Sequence, residues 1–420
     1  MFDITLQAEN GEQEIWSYDP INGELYDQAG KLLFFKSRYS LKAPQISPSD
    51  PGTKGGILDT LKIQLGLKCN LSCTYCLQGG HIEEAKNTNL DDAHSFLENL
   101  DSWVLNEPNR VEFWGGEPLL YWKKLKVLIP ALREKFPKAV FLLITNGTLL
   151  TDEVADYAGR YDLSIAVSHD AQGQSNRGQD PLENPEVARV CQRLVNERPW
   201  NFSFNAVITN KNMNLTEVVG YFKTRFGAQC NVSFEGIVSY YDASFIDKVR
   251  LSEEELKVIS NEIFYGLSNG LLNGSSFRMK LEQTLSDMIN PIHIKSRYSK
   301  CGMDRADKIA VDLQGNVTTC QNTGPSGKHD CGNVKELQKV EVKSSTHFMK
   351  RQYCPTCPMV RVCGGGCMYL HGNDFEETCR ADYAQAWGIF RAAIYKITGK
   401  VATKIEVKEI ENKIPTVMVD

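Results

Sequence analysis

The chain has 420 residues, of which 42% are hydrophobic and 24% are charged, and its formal net charge is −5. This composition is that of a globular protein, and the length suffices for roughly two to three domains. The acidic balance gives no general attraction to nucleic-acid phosphates, and no apolar run approaches the ~20 residues of a membrane span. With no signal-peptide pattern either, we expect a cytoplasmic protein without membrane attachment.

Residues 1–58 are predicted to form small antiparallel hairpins. Apolar and polar residues alternate there around turn signals such as Asn10-Gly11 and Asn22-Gly23. The segment shows no clear helical pattern. We therefore expect this N-terminal region to have a structural role, covering one side of the domain that follows.

From about residue 59 to 290, short strands alternate with amphipathic segments of helical length. This alternation predicts an α/β fold in which crossover helices connect parallel strands. The strand candidates lie near residues 61, 111, 141, 164, 203 and 232. The helical candidates are 90–105, 122–136, 152–161, 186–196, 215–226 and 252–271. Functional side chains are expected at the carboxyl ends of the strands.

Three cysteines, Cys69, Cys73 and Cys76, follow the first strand on one short loop. Three thiolates at this spacing can each bind one iron of a four-iron cluster, which leaves the fourth iron open to another ligand. The alternatives are a zinc loop or buried structural cysteines. Zinc sites favour paired C-x2-C knuckles with a fourth ligand, and none lies nearby. The loop therefore predicts an iron–sulfur centre with an open chemical site.

This loop resembles the C-x3-C-x-aromatic-C signature of the radical S-adenosylmethionine (radical SAM) enzymes, with Tyr75 at the aromatic position. The resemblance implies a partial (β/α)6 barrel of the TIM type, not a closed eight-stranded barrel. It also implies a [4Fe–4S] cluster whose open iron binds S-adenosylmethionine (SAM). Reductive cleavage of SAM to a 5′-deoxyadenosyl radical would then abstract a hydrogen from the substrate. The three cysteines would be catalytic, and an external donor such as flavodoxin or ferredoxin would supply the electron.

Further motifs at the strand ends resemble the SAM-binding positions of this family. Gly115-Gly116-Glu117-Pro118 resembles the family's GGEP motif, in which glycines allow close approach and a carboxylate suits the cationic amino group of SAM. Alone, such a sequence could also form a turn. The other residues that the resemblance assigns to SAM binding are Asn146, Ser168, Asp170 and Arg177.

Residues 168–171 depart in two places from the S-x-D-G pattern of the family. His169 replaces an aliphatic residue and Ala171 replaces the glycine. Ser168 and Asp170 are also suited to capping the next helix, and Arg177 is also compatible with a solvated loop charge. These alternatives stay open at the level of the sequence.

A second set of cysteines lies between residues 301 and 379. Its pattern is a first cysteine, G-x4-C, C-x2-C-x5-C-x3-C and a last cysteine. The pattern resembles the SPASM domain, an extension of peptide- and protein-modifying radical SAM enzymes that holds auxiliary four-iron clusters. The resemblance assigns an outer cluster to Cys354, Cys357, Cys363 and Cys379, and an inner cluster to Cys301, Cys320 and Cys367. A zinc ribbon is the alternative, but these cysteines exceed one tetrahedral site.

The inner set is one ligand short of four. Cys331 could complete it; otherwise that iron is open to substrate or solvent. Cys191 lies on the apolar face of a predicted helix and Cys230 begins a predicted strand, so both are expected to be buried apolar residues. The thirteen cysteines of the chain thus favour metal thiolates over disulfides.

The sequence divides into four predicted regions. These are the hairpins at 1–58, the radical SAM core at 59–290, the auxiliary-cluster domain at 291–385 and a helix and strand tail at 386–420. A predicted helix at 381–398 ends before Gly399, a common stop signal. A strand is predicted at 401–407, and the charged stretch 408–413 is expected to be exposed.

Three reaction classes fit the family resemblance. Radical modification or crosslinking of a peptide is the most populated class and is preferred, which makes the protein an oxidoreductase or peptide maturase. Radical modification of a small molecule or nucleoside is the alternative. Sulfatase maturation is disfavoured because those relatives carry an aspartate directly after the G-x4-C cysteine, where this chain has Gln321 and Asn322. Many peptide-modifying relatives begin with a winged-helix domain for the leader peptide, and residues 1–58 do not match one.

A non-enzymatic electron carrier is the remaining class. Such a protein needs no SAM site, so the cysteine loop followed by GGEP weighs against it. A general base would have to lie in the cavity between core and auxiliary domain. Asp304, Asp307 and Glu235 are candidates by position only, and the sequence does not choose among them.

Overall fold

The computed structural model describes residues 1–40, 42–79, 89–238 and 250–407. Its strands are β1 (Phe2–Gln7), β2 (Gln13–Asp19), β3 (Glu24–Tyr26), β4 (Gly52–Thr53), β5 (Thr60–Gln64), β6 (Arg110–Trp114), β7 (Val140–Thr145), β8 (Leu163–Ser168), β9 (Phe202–Ile208), β10 (Asn231–Ile237), β11 (Lys308–Asp312), β12 (Asn316–Thr318), β13 (Asp330–Asn333), β14 (Glu341–Val342) and β15 (Val401–Val407). Its α-helices are α1 (Leu90–Asn99), α2 (Trp122–Lys135), α3 (Asp152–Arg160), α4 (Pro185–Glu197), α5 (Leu215–Phe226), α6 (Glu253–Ser268), α7 (Ser276–Ile289), α8 (Val360–Cys363) and α9 (Gly372–Thr398).

A nine-stranded sheet forms the centre of the protein, in the order β10-β9-β8-β7-β6-β5-β11-β12-β13. The six strands from β5 to β10 are parallel neighbours in chain order. The sheet is not a closed barrel, because β5 pairs with β11 and not with β10. The predicted α/β fold with six parallel strands and an open barrel is confirmed.

Local sequence explains why the crossover segments form helices. In α4, Asn184 caps the first turn and Pro185 occupies its first position, where a missing N–H costs nothing. The apolar side chains of α4 at helical spacing are buried, among them Cys191. Ser252 and Glu255 form a capping box at the start of α6. Cys191 and Cys230 are both buried in the core, as predicted.

β11 lies beyond residue 290 but extends the central sheet. It runs parallel to β5, from Lys308 opposite Thr60 to Asp312 opposite Gln64. β12 and β13 continue the sheet in antiparallel fashion. The predicted core and the predicted auxiliary-cluster region therefore share one sheet, which fixes the cysteines that follow β12 relative to the cysteines that follow β5.

The predicted N-terminal hairpins are present as β1, β2 and β3, which form a four-stranded antiparallel sheet with β15. The predicted strand at 401–407 is thus β15. The long helix α9 begins at Gly372, nine residues before the predicted start, and ends at Gly399, whose φ of 70° is left-handed. None of the helices within the described ranges is long and apolar enough to cross a membrane. Residues 408–420, with the predicted exposed charges, lie outside the described residues.

Candidate active site

A cavity of about 470 Å³ lies at the carboxyl ends of the parallel strands. Its wall is formed by the cysteine loop after β5, by residues at the ends of β6 to β10 and by residues of the C-terminal cysteine region. The structure brings most of the predicted site residues to this wall. These are Cys69, Cys73, Tyr75, Cys76, Gly115, Gly116, Asn146, Ser168, Arg177, Cys301, Cys320 and Cys367.

The cysteine loop is held against the segment that follows β6 by main-chain hydrogen bonds. Gly116 N donates to Gly66 O at 3.0 Å, and Glu117 N donates to Lys68 O at 2.9 Å. A Cβ atom on Gly116 would lie 2.3 Å from Leu67 O and 2.4 Å from Lys68 O. Because two backbones approach so closely here, this position requires glycine. The GGEP motif thus positions the cysteine loop.

Glu117 is buried and does not line the cavity, and neither does Pro118. Its Oε1 accepts hydrogen bonds from Thr145 Oγ1 at 2.7 Å and Leu119 N at 2.9 Å, and its Oε2 accepts one from Asn146 N at 2.7 Å. Burial raises the pKa of Glu117. The carboxylate caps the turn that follows and ties the end of β6 to the end of β7. The structure thus places Glu117 behind the cavity wall, and its contact with the amino group of SAM stays a prediction.

Tyr75 and Arg177 line the cavity. The buried Asp170 lies behind them and contacts both side chains. Tyr75 Oη donates a hydrogen bond to Asp170 Oδ2 and accepts one from Arg177 Nη1 at 2.7 Å. Asp170 Oδ1 accepts a hydrogen bond from Val207 N at 2.9 Å and lies 3.5 Å from Arg177 Nη1. Burial raises the pKa of Asp170, and the Arg177 guanidinium opposes this rise. Asp170 is thus a positioning residue for two cavity side chains.

Asn146 connects the end of β7 to the cysteine loop. Its Nδ2 donates a hydrogen bond to Asn70 Oδ1 at 2.9 Å and lies 3.8 Å from Cys69 Sγ. Leu71 N also points at Cys69 Sγ, at 3.4 Å. Donors aimed at a sulfur stabilise it as a thiolate ligand, and such hydrogen bonds tune iron–sulfur centres. Ser168, the last residue of β8, lines the same wall.

The second cysteine set divides between two cavities in the way the SPASM resemblance implies. Cys354, Cys357, Cys363 and Cys379 line a separate small cavity of about 40 Å³. Cys301, Cys320 and Cys367 line the main cavity. Cys331 lines neither of them: it is buried on β13, with its Sγ 3.8 Å from Thr319 Oγ1. The structure thus brings together the two predicted groups but not the proposed fourth ligand of the inner one.

The chemistry of these side chains fits iron–sulfur clusters and SAM. Soft thiolates favour such clusters, and each cysteine of a four-iron cluster binds a different iron. Within the described ranges, no three His, Cys, Asp or Glu side chains could hold a single metal ion. Burial raises the pKa of Cys73 to about 11, so binding iron would release its proton. Arg177 Nε is buried and has no hydrogen-bond partner among the described residues, which suits the carboxylate of SAM.

Several cavity residues escaped the sequence analysis. Lys300 Nζ forms an ion pair with Asp382 Oδ1 at 2.6 Å, and Lys280 lies beside them. Burial lowers the pKa of Lys280 to about 8. In the sequence these charges resemble the solvated faces of amphipathic helices, so only the tertiary packing shows that they are enclosed.

Of the three candidate bases, Glu235 lines the cavity and accepts a hydrogen bond from Asn205 Nδ2 at 3.0 Å. Asp304 is buried away from the wall and accepts a hydrogen bond from Ser299 N at 2.8 Å. Asp307 forms an ion pair with Arg305 at 2.6 Å and does not line the cavity either. Position alone therefore leaves Glu235 as the candidate that a substrate could reach.

Comparison with known proteins finds a family model that matches the part of the chain with the cysteine loop, and relatives that match three quarters of the chain. The family model described as "Radical SAM superfamily" matches residues 63–207. The radical SAM cyclopropyl synthase TigE of Paramaledivibacter caminithermalis is 24% identical over 344 residues, which cover 75% of this chain and 68% of the relative. A cysteine-type anaerobic sulfatase-maturating enzyme of Clostridium perfringens is 24% identical over 348 residues, covering 75% of this chain and 90% of the relative.

Shorter and structural similarities complete the comparison. A GTP 3′,8-cyclase of Nautilia profundicola is 26% identical over 142 residues, covering 34% of this chain and 41% of the relative. The solved structure "Native anSMEcpe with bound AdoMet and Cp18Cys peptide" has a TM-score of 0.56 at 20% identity, covering 80% of this chain and 98% of that one. The two proteins share a fold.

The close approach at Gly116 predicts that even a methyl group there displaces the cysteine loop. We expect Gly116→Ala to destabilise the protein by about 1–3 kcal/mol and to lower its iron content after anaerobic reconstitution, because the new Cβ collides with two carbonyl oxygens. Urea unfolding and iron analysis measure both effects. The matched control is Gly220→Ala in α5, where a Cβ would meet nothing within 4 Å. Equal stability and iron content in the two variants would contradict this account.

Because Cys331 lines neither cavity, its replacement should leave cluster content unchanged. We expect Cys331→Ala to bind as much iron and sulfide as the unmodified chain after reconstitution, with at most a small loss of stability from the buried position. Cys320→Ala, which alters a cavity cysteine, should lose iron in the same assay. An equal loss of iron in both variants would instead make Cys331 a ligand.

Proposed function

The chain carries a radical SAM domain, and we propose that it is an enzyme that modifies or crosslinks a peptide with the aid of two auxiliary iron–sulfur clusters. A radical SAM domain implies a [4Fe–4S] cluster and SAM as cofactors. The observation that carries the proposal is one cavity whose wall contains both the cysteine loop and three cysteines of the C-terminal set. A substrate in this cavity would lie beside both groups of cysteines.

When bound, the reduced cluster and SAM supply a radical that removes a hydrogen atom from the substrate. The task of the chain is to hold these groups, orient the substrate and exclude water. Cys69, Cys73 and Cys76 would bind the cluster. Arg177, whose Nε has no hydrogen-bond partner in the described part of the chain, would bind the carboxylate of SAM. The remaining contacts would come from Tyr75, Gly115, Gly116, Asn146 and Ser168, all on the same wall.

The two auxiliary cysteine groups are proposed to differ in role. Cys301, Cys320 and Cys367 line the substrate space, so an inner cluster would adjoin the substrate. Gln64 Nε2 strengthens this junction by donating to the carbonyls of Gln321 and Thr323, both at 3.0 Å. The outer four cysteines line a separate cavity, which suits a cluster that stabilises the fold or passes electrons.

A peptide substrate has more support than a nucleoside. The relatives named as a cyclopropyl synthase and a sulfatase-maturating enzyme match three quarters of this chain, whereas the GTP cyclase matches one third of it. The solved structure that shares this fold contains a bound peptide. Sulfatase maturation itself is less favoured, because Gln321 and Asn322 are neutral amides and cannot act as general bases.

The assignment of the cysteine loop is tested by removing its thiols. We expect the triple variant Cys69→Ala/Cys73→Ala/Cys76→Ala to lose about four irons per chain and all cleavage of SAM to 5′-deoxyadenosine. The control is Cys191→Ala/Cys230→Ala, which changes two buried core cysteines and should retain iron and activity. Cleavage of SAM that survives in the triple variant would overturn the assignment.

The substrate class is tested by isotope transfer. The anaerobically reconstituted enzyme is reduced and given SAM together with deuterated peptides, translated from reading frames adjacent to the gene, or with deuterated nucleosides. We expect deuterium to appear in 5′-deoxyadenosine only with a peptide, because hydrogen abstraction carries the label into that product. Mass spectrometry detects the transfer. Label from a nucleoside alone would replace the peptide proposal with the small-molecule alternative.

A further inference from the structure

A second cavity, of about 510 Å³, adjoins the first. Its wall comes from α7, from α8, from α9 and from the segment between residues 292 and 308. The walls of the two cavities share Lys280, Lys300, Cys301 and Asp382. The two cavities therefore meet at these four side chains.

The wall of the second cavity is strongly basic. Among the described residues that line it, Asp382 is the one acidic side chain. The cations are Lys280, Arg297, Lys300, Arg305, Lys308 and Arg361. The first cavity has a more balanced charge. Its lining includes the acidic residues Glu235 and Asp382 as well as the cations Arg177, Lys280 and Lys300.

Three of the six cations have carboxylate partners. Lys300 pairs with Asp382 at 2.6 Å. Arg297 pairs with Asp287 at 2.6 Å, and Arg305 pairs with Asp307 at 2.6 Å. These pairs neutralise half of the positive charge of the wall.

The other three cations have no carboxylate within ion-pair distance among the described residues. Lys308 Nζ donates only to the carbonyl of Cys301, at 3.2 Å. Arg361 is 3% exposed and donates to three carbonyls, but its Nη1 is buried without a hydrogen-bond partner from the described part of the chain. Lys280 Nζ has no hydrogen-bond acceptor among the described residues; it lies 5.8 Å from the centroid of the Phe277 ring, beside the Lys300–Asp382 pair.

Enclosed cations without a carboxylate at ion-pair distance are costly, and an anion that enters their cavity relieves this cost. We propose that the second cavity binds an oxyanion of the substrate, such as the carboxylate of an acidic side chain, while the reacting part of the substrate occupies the first cavity. This inference rests on the proposed function and specifies its substrate class: an anionic substrate with the oxyanion near the reacting group. Lys280, at the junction of the two cavities, would contact it.

The test is a binding measurement on the reconstituted holoenzyme. A short fluorescent peptide of alternating glutamate and glycine is compared with its glutamine counterpart by anisotropy, and GTP is added as a competitor. We expect the acidic peptide to bind more tightly, and Lys280→Gln to weaken that binding roughly tenfold, because one enclosed charge contact is lost. Lys280→Arg, which keeps the charge, should restore most of the affinity. Arg278→Gln on the same helix is the matched control, because Arg278 pairs with Glu282 and lines neither cavity.

Iron content is measured in every variant, since the same cations would also balance the negative charge of iron–sulfur clusters. Loss of iron from Lys280→Gln in step with its loss of affinity would overturn the proposal in favour of that structural role. Equal binding of the acidic and amide peptides would also overturn it. If GTP displaces the acidic peptide and this displacement is lost in Lys280→Gln, the result would support an oxyanion site in the second cavity and identify its ligand as a phosphate. The assay reads binding, so a failure of SAM cleavage would count against the proposed function and not against this cavity.

Discussion

The site depends on the close approach of two backbone segments, the cysteine loop after β5 and the Gly115-Gly116 turn after β6. Neither segment has regular secondary structure, so each needs partners for its peptide groups. They supply these to each other, and the absence of a side chain at Gly116 allows the carbonyls of Leu67 and Lys68 to lie in its place. Glu117 then fixes this arrangement to the end of β7 through two hydrogen bonds, from Thr145 Oγ1 and Asn146 N, and accepts a third from Leu119 N in its own turn. The cysteines are thereby positioned by the rigid sheet.

A second constraint is the pairing of β11 with β5. It closes a loop of more than two hundred residues in the chain and places the segment after β12 beside the segment after β5. Gln64, the last residue of β5, then donates hydrogen bonds to the carbonyls of Gln321 and Thr323, which follow Cys320. One continuous sheet thus sets the geometry between two groups of cysteines that are far apart in the sequence. This is why the two groups share a cavity.

Much of this arrangement follows from local sequence, and the rest follows from packing. The alternation of strand and helix is a local pattern that predicts parallel strands with crossover helices, while the open barrel and the grouping of the C-terminal cysteines are what the family resemblance implies. The pairing of β11 with β5 cannot be predicted from local sequence, because the residues of a short apolar strand do not indicate which strand it pairs with. Glu117 shows a different limit: the sequence does not show that a glutamate after two glycines accepts hydrogen bonds from three donors, which only the packed structure shows. From the sequence, Lys280 would be assigned to the exposed face of α7, because helical periodicity does not show which other segments pack over that face.

The two departures from the S-x-D-G pattern illustrate how such a site tolerates change. Ala171 replaces glycine at a φ of 50°, where a Cβ costs roughly 1–2 kcal/mol. His169, the other departure, accepts a hydrogen bond from Ala171 N through Nδ1 at 3.0 Å, while its Nε2 bonds to Asp180 at 2.9 Å. An aliphatic residue could make neither bond, and each contributes about 1 kcal/mol. The two hydrogen bonds of the histidine are thus of the same size as the strain of the alanine, in the turn that precedes Arg177.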